Sequence, residues 1–321
     1  MSLRLLSNLC ITGNKFRPVY PSKQGFGFGF GFGCCWQALT CIIPTTRLSQ
    51  PSQNILKSDN YITPPTESKD EHSTNNLVDS FNKYFEIVPA ISDELKNKVY
   101  KLRYQVYCIE NAFLNSEDYP DNLEFDEFDQ RSIHYLIRHR KSGDYAATVR
   151  LILPDAYNPE KLFPLELHCE IDNVAVMQPI DRKHLGEVSR LCVSKAFRKR
   201  KNDTNPLEAI DSDREDYFTL DEKRAFPLIS LALIACTVKA SYENEIHYSF
   251  GTMEPPWFRL VSAFGINFIK IGPLVDYHGE RWPSVIKVAD MIDCVAKKKP
   301  NTWDLLTNKG VFLQAGPKKV S

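Results

Sequence analysis

The order of the periodic segments after Leu77 constrains the fold more than any other feature of this chain. Runs typical of strands fall at residues 85–89, 132–140, 145–153, 184–194, 246–250, 266–270 and 284–288. Helical spacing of apolar residues begins after Ser92, an N-cap followed by two acids, and recurs at 223–242, 255–264 and 289–298. This order predicts an α/β fold, an α+β sandwich with a mixed sheet. GxGxxG and P-loop motifs are absent, which argues against nucleotide-binding folds.

The first 76 residues differ in composition from the rest. Residues 25–33 read GFGFGFGFG, and residues 1–58 hold six Lys or Arg but no Asp or Glu. We expect residues 1–76 to be a disordered extension or one wrongly joined upstream of the true start, with a basic presequence as the alternative. Residues 77–300 are expected to form one globular domain, and residues 301–321 a C-terminal tail.

Charge and cysteine content exclude several classes of protein. The 40 Lys or Arg balance the 40 Asp or Glu, so no overall field favours nucleic acid or an anionic membrane. The chain has nine cysteines, an odd number, and those in the body lack paired metal-ligand spacing, which favours a reducing cytoplasm and no metal. We identify no apolar run of roughly 18 residues, so we expect no membrane span.

Four clusters of charged residues occur where packing or turns do not require them. Arg103 adjoins the apolar stripe of the first helix, Arg150 closes a hairpin strand, and Glu187 and Arg190 lie in an apolar strand. The acidic cluster, in EFDEFD, comprises Glu124, Asp126 and Asp129. Because charges are rarely buried unpaired, two interpretations stand. The residues form a structural ion-pair network, or they line a cleft that holds and deprotonates an amine.

The spacing of Glu187 and Arg190 adds a geometric prediction. Side chains three residues apart on a flat strand point to opposite faces of the sheet. A β-bulge would return both to one face, and bulges are common beside active sites. We therefore predict a bulge near Val188–Arg190.

The ordered motifs resemble those of a known superfamily. LR…VY, E-x-D-x-x-D followed by His134, G…VRL-x-L-P and GEVSRL-x-V are similar to the signature of N-acyl-homoserine-lactone synthases and N-acyl amino acid synthases, within the GNAT acyltransferases. YCIENAF, YPDNLEFDEFDQRSIHYLI and EVSRLCVSKAFRKR most resemble acyltransferases of the PEP-CTERM/exosortase system. The resemblance, from Leu77 to Lys298, implies a GNAT-like, mostly antiparallel sheet flanked by helices. It also implies a cleft formed by Arg103, Glu124, Asp126, Asp129, Arg150, Glu187 and Arg190.

The resemblance implies a reaction and its partners. A fatty acyl group would pass from an acyl carrier protein (ACP) or CoA thioester to a small amine or amino-acid-like acceptor, with acyl-phosphopantetheine as co-substrate and no tightly bound cofactor. The lactone synthases use S-adenosylmethionine, but this chain departs from them in the loop IENAFLNSEDYP and in the insert at 202–222. The acceptor therefore stays open. The expected location is the cytoplasm.

Roles for individual residues follow from the chemistry. No G-x-S-x-G elbow occurs, so we expect direct transfer without an acyl-enzyme. Glu187 is the expected general base, with Arg190 and Arg103 holding the carboxylates, while Asp126 and Asp129 attract the amine or order the loop. Splayed strands would supply oxyanion contacts, as the superfamily resemblance implies.

Two further sets of residues are expected to bind the acyl donor and the acyl chain. The donor set, around a basic loop whose simpler interpretation is a solvated turn, comprises Lys195, Arg198, Lys199, Arg200, Cys192 and Val193. As a nucleophile, Cys192 has no activating base nearby in sequence, so it and Cys108 are read as packing residues. The acyl-pocket set, each of which would also suit a plain core, comprises Met253, Trp257, Phe258 and Leu260.

Two classes of protein compete with an enzyme. A non-catalytic module that binds acyl chains or ACP would keep the basic loop and the pocket without needing Glu187. A structural or interaction protein would use the charges as a network and lose its fold when Arg150 or Arg190 is changed.

Overall fold

The computed structural model describes residues 76–198, 218–277 and 279–314. The helices are α1 Leu77–Tyr84, α2 Asp93–Tyr104, α3 Pro164–His168, α4 Val174–Met177, α5 Leu220–Glu243, α6 Pro255–Ala263, α7 Val288–Lys298 and α8 Pro300–Thr307. The strands are β1 Phe85–Pro89, β2 Ser132–His139, β3 Tyr145–Ile152, β4 Leu185–Val193, β5 Tyr248–Met253, β6 Ile269–Lys270, β7 Val275–Asp276 and β8 Glu280–Lys287. A π-helix, Gln105–Glu110, continues α2.

One mixed sheet organises these elements. Its strand order is β1-β2-β3-β4-β5-β8-β6, and β7 pairs with β8 beside this path. Strands β4 and β5 are parallel, whereas the other neighbours are antiparallel. The α/β class with a mixed, mostly antiparallel sheet between helices is confirmed.

Helix α5 forms the centre of the main core. It packs on the sheet face that carries Ile137, Val149 and Ile286, together with α1, α7 and α8. By length and composition α5 could cross a membrane, but 78% of its apolar window is buried inside the structure. That burial is typical of a core helix surrounded by protein on all sides.

A helix cap marks the beginning of the domain, and buried residues of α8 mark its end. Asn76 caps α1 through a hydrogen bond from Val78 N, and Ser92 caps α2 as predicted. At the other end, Leu305 and Leu306 of α8 are buried against the core. Residues 301–307, expected from the sequence to belong to a C-terminal tail, are therefore part of the packed body. The strand expected at 266–270 is reduced to Ile269–Lys270.

Irregularities in β4 position the site. Thr148 is paired with Cys192 and Arg150 with Ser189, so Arg190 and Leu191 together face one residue of β3. Arg190 has a φ of 51°, in the left-handed region. The predicted bulge is confirmed. Beyond the pair Val188–Gly251 the parallel ladder stops, since β4 continues beside β3 and β5 continues beside β8.

Candidate functional site

Three arginines and three carboxylates form a network on the sheet face covered by α2. Arg103 donates to Glu124 and, at 2.7 and 3.2 Å, to the two carboxylate oxygens of Asp129. Arg150 donates to Asp126 at 2.6 Å and to Asp129 at 2.9 Å. Arg103, Glu124 and Arg150 are each 0% exposed. The network is therefore mostly withdrawn from water, and its formal charges cancel.

Arg190 joins this network because of the bulge. Its guanidinium donates to Glu124 at 2.9 and 3.0 Å and to Asp126 at 3.3 Å. Since Arg150 also contacts Asp126, the two arginines lie on the same side of the sheet. The side chains of Arg190 and Asp126 are 24% and 28% exposed, so this pair forms the open edge of the network.

The acidic loop folds inward through its own hydrogen bonds. Asp126 accepts from Phe128 N at 2.9 Å, and Asp129 accepts from Asp126 N at 2.7 Å, which forms a capping box on the turn Glu127–Arg131. Phe128 is buried beneath this turn. These hydrogen bonds direct both carboxylates towards the sheet, where Asp129 is buried and Asp126 is partly exposed.

The network fixes the protonation of Glu124 and Asp129. Burial alone would raise the pKa of Glu124, but Arg103 and Arg190 more than offset it and lower the pKa to about 2. Burial also opposes the ionisation of Asp129, but Arg103 and Arg150 outweigh it, so the pKa of Asp129 lies well below its ordinary value. His134 lies 3.6 Å from Asp129, yet burial lowers its pKa to about 4. Glu124 and Asp129 are permanent anions and poor proton acceptors at neutral pH.

Glu187 is a different kind of buried acid. It is 3% exposed, and burial raises its pKa to about 7 despite a hydrogen bond from Leu165 N at 2.9 Å to Oε2. Arg150 and Arg190 are close enough to lower the pKa in part, but neither forms an ion pair with Glu187 within the described residues. A carboxylate with this pKa can accept and release a proton near neutral pH.

A cavity of about 220 Å³ runs through the opening between β4 and β5. Its charged end, on the α2 face of the sheet, is lined by Arg150, Glu187 and Arg190 with Tyr107 and Tyr277. The other end, which we call the apolar chamber, is formed mainly by α5, β5 and α7. The chamber is lined by Ile234, Thr237, Val238, Ser241, Ser249, Gly251, Val261, Ile266, Phe268, Ile286, Val288 and Met291.

Two of the four residues expected to form the acyl pocket line the cavity, and two do not. Met253 and Trp257 line the cavity. Phe258 does not, because its ring packs against Trp282 at 5.7 Å between centroids. Leu260 is a buried member of the main core. The expectation is corrected for Phe258 and Leu260, which α6 turns away from the opening.

The residues expected to bind the donor also differ in their burial and in their contacts. Cys192 and Val193 are 0% exposed and belong to the cores on opposite faces of the sheet. Arg198 is held by Glu110 at 2.7 Å, so it is not a free docking cation. The side chain of Lys195 is exposed. Lys199 and Arg200 lie outside the described residues, as does most of the insert at 202–222.

Sequence reasoning missed several lining residues. Tyr277 gave no signal, because it belongs to a short irregular segment between β7 and β8. Thr237 and Ser241 did give one: they are polar, four residues apart, and lie in a mostly apolar part of α5. Cys108, like Cys192, is buried, as the packing interpretation requires.

Residues 102–205 match the family model described as an acetyltransferase (GNAT) domain. This third of the chain carries all seven charged residues of the expected cleft. The matched segment includes β2, β3 and β4, so the mixed sheet is a GNAT-like fold. An acyltransferase is the coarse function that this match supports.

Several solved structures are similar to this chain. TofI in a ternary complex with an inhibitor and MTA is 16% identical, with 68% of this chain and 98% of that chain covered and a TM-score of 0.44. MesI, a CoA-dependent acyl-homoserine lactone synthase, is 15% identical over 70% and 93%, with a TM-score of 0.42. FeeM, an N-acyl amino acid synthase from uncultured soil microbes, is 13% identical over 65% and 93%, with a TM-score of 0.39. Sequence identities and TM-scores this low do not assign the activity of these proteins to this chain. No curated protein matches the chain.

Proposed function

We propose that this chain is an autoinducer-synthase-like N-acyltransferase. It would move a fatty acyl group from an ACP or CoA thioester to a small amine or amino-acid-like acceptor. One observation carries the proposal: a single cavity joins a buried carboxylate of pKa about 7, Glu187, to an apolar chamber. A thioester spanning the opening would place its chain in the chamber and its carbonyl beside the carboxylate.

The transfer step needs one base and one leaving thiolate. Glu187 accepts a proton from the acceptor ammonium, directly or through a water molecule, which frees the nitrogen lone pair. The nitrogen then forms a bond to the thioester carbon, and the carbon–sulfur bond breaks with its electron pair on sulfur. A proton from the nitrogen ends on the thiolate, so the products are an amide and a free thiol. No acyl-enzyme is required.

The charged end of the cavity supplies positioning. Asp126 and Arg190 form the open edge of the network, where Asp126 would attract the amine and Arg190 an acidic group on the acceptor. Backbone N–H groups of β4 and β5 beyond the last parallel pair, Val188–Gly251, would stabilise the oxyanion. Arg103 is fully buried behind this edge, and its role is to hold Glu124 and Asp129 in place.

The donor would enter between the parted strands. A phosphopantetheine arm is narrow enough to pass through such an opening, and the basic loop with Lys195, Lys199 and Arg200 would attract an acidic carrier protein. We place the domain at residues 77–300, extended by α8, and the reaction in the cytoplasm. The resemblance to acyltransferases of the PEP-CTERM/exosortase system supports a product made for that system.

Intact-mass analysis of small molecules tests the proposal. Extracts of cells that express the full chain are compared with extracts of cells that express Glu187→Gln. Glu254→Gln is the matched control, because Glu254 also lines the cavity but is paired with Arg281 at 3.1 Å. We expect new acylated amines with the wild type and the control and none with Glu187→Gln.

The same experiment separates the alternatives. If all three extracts are identical while the purified chain binds acyl-ACP, the non-catalytic binding module replaces the enzyme. If the new species persist with Glu187→Gln, another group is the base.

A further inference from the structure

The apolar chamber contains two serine hydroxyls that the protein leaves without partners. Ser241 and Ser249 are 2% and 3% exposed, and both line the cavity. Within the described residues neither hydroxyl is hydrogen-bonded to protein, and neither is among the fully enclosed unpartnered atoms, so each oxygen keeps some surface that faces the cavity. A ligand that fills the cavity would remove this surface from water, and a covered hydroxyl without a partner costs free energy, so each serine is a site at which a ligand oxygen would be favoured over a methylene group.

The two hydroxyls approach the chamber from neighbouring elements. Neighbouring residues of a strand point to opposite faces of the sheet, and Phe250 packs in the core on the face away from α5. Ser249 therefore faces α5, between its strand partners Gly186 and Ile286. Ser241 lies in the last turn of α5, and its carbonyl accepts from Ile246 N at 2.9 Å just before β5 begins. Both serines therefore belong to the same end of the chamber.

That end is remote from the reacting carbonyl. The strands part at Gly251, and Ser249 lies two residues back along β5, about 7 Å deeper in the sheet. Thr237, one helical turn before Ser241, also lines the chamber, but its hydroxyl donates to Ile234 O at 2.8 Å. An acyl chain that enters at the opening would reach the serines only after several carbons.

We propose that the chamber selects acyl chains that carry an oxygen away from the thioester. A hydroxyl or keto group at mid-chain or beyond would hydrogen-bond to Ser241 and Ser249, while the remaining carbons contact Ile286, Val288 and Met291. A plain chain of equal length would fill the same space and leave both hydroxyls unsatisfied. This inference deepens the proposed function and rests on it, since it names the class of acyl group transferred.

Ser230 provides an internal control on the same helix. It is 0% exposed, its hydroxyl also lacks a partner, and it does not line the cavity. Ser230→Ala removes a buried hydroxyl that no ligand can reach. It therefore reports the effect of such a change on packing alone.

Equilibrium binding, which needs no turnover, tests the proposal. The full chain is titrated by calorimetry with dodecanoic acid and with its monohydroxy isomers, the hydroxyl being moved one carbon at a time. We expect at least one isomer with a hydroxyl remote from the carboxylate to bind about tenfold or more tightly than dodecanoic acid. Ser241→Ala with Ser249→Ala should reduce this preference to about one, and Ser230→Ala should leave it unchanged.

The contrary outcomes are distinct. Equal binding of plain and hydroxylated chains by the wild type overturns the selection of oxygenated chains but leaves the acyl chamber in place. A preference that persists in the double variant also overturns it. Binding of no chain at all removes the acyl chamber, and with it the proposed function.

Discussion

The ion-pair network and Glu187 are both buried and charged, but opposite effects control the pKa values of their carboxyl groups. In the network every carboxylate contacts at least one guanidinium, and the pKa of Glu124 falls to about 2. Glu187, on the same strand as Arg190, has one backbone hydrogen bond and a pKa of about 7. Pairing makes the first region a fixed scaffold, whereas desolvation without a counter-ion makes the second a proton acceptor. The comparison separates residues that hold the site from one that reacts.

Replacement of Glu187 should give the largest effect, because it removes the group proposed to accept the proton. Glu187→Gln keeps an oxygen to accept from Leu165 N but removes the base, so we expect kcat to fall by about 10²–10⁴-fold. The midpoint of thermal unfolding should not decrease, because a desolvated carboxyl is replaced by a neutral group. Steady-state kinetics and differential scanning calorimetry measure the two effects. A loss of folding would instead place Glu187 with the network.

Replacement of Asp129 tests the scaffold. Asp129→Asn removes the carboxylate shared by Arg103 and Arg150, so we expect the free energy of unfolding to fall by about 3–5 kcal/mol. Asp126→Asn, at the more exposed edge, should cost about 1 kcal/mol or less. Urea denaturation compares the two variants. Equal losses would contradict the division between a buried scaffold and an open edge.

The pH dependence of Glu187 has a defined sign. Its folded pKa of about 7 lies above the ordinary 4.5, so the folded state binds the proton more tightly than the unfolded state does. Stability should therefore decrease as pH rises from 4.5 to 7, by roughly 3 kcal/mol, while activity increases through pH 7. Unfolding and rate profiles of wild type and Glu187→Gln isolate this effect. It should vanish in the variant.

A methyl group at Gly251 tests the chamber with a smaller change. A Cβ there would lie 3.3 Å from Cε1 of Phe268, which narrows the entrance where the strands part. We expect Gly251→Ala to reduce kcat/KM for long acyl donors about three- to tenfold and to leave short donors nearly unchanged. A series of donors of increasing length measures the change. A uniform loss for all lengths would show that the chain does not pass Gly251.

Local patterns in the sequence were sufficient for much of the fold. The hairpin of β2 and β3, the cap of α2 at Ser92 and the helix near 223–242 follow from turn chemistry, capping and apolar spacing, all of which act over a few residues. The bulge was also predictable, because Glu187 and Arg190 could share one face only if an extra residue entered β4. What local patterns did not give is the direction in which α6 presents Phe258 and Leu260, since the position of the cavity beside that helix depends on strands distant in sequence.

By itself the sequence determined the α/β class, the bulged strand and the set of charges that come together. The tertiary structure decided what each charge does. Glu124 and Glu187 are the same side chain and both are buried, and the contacts of Arg103 and Arg190 with Glu124 make it an anion and leave Glu187 a base. The cavity likewise exists only because β4 and β5 part after Val188–Gly251. Burial and counter-ions are long-range properties, so the pKa of an acid is set by the fold and not by its motif.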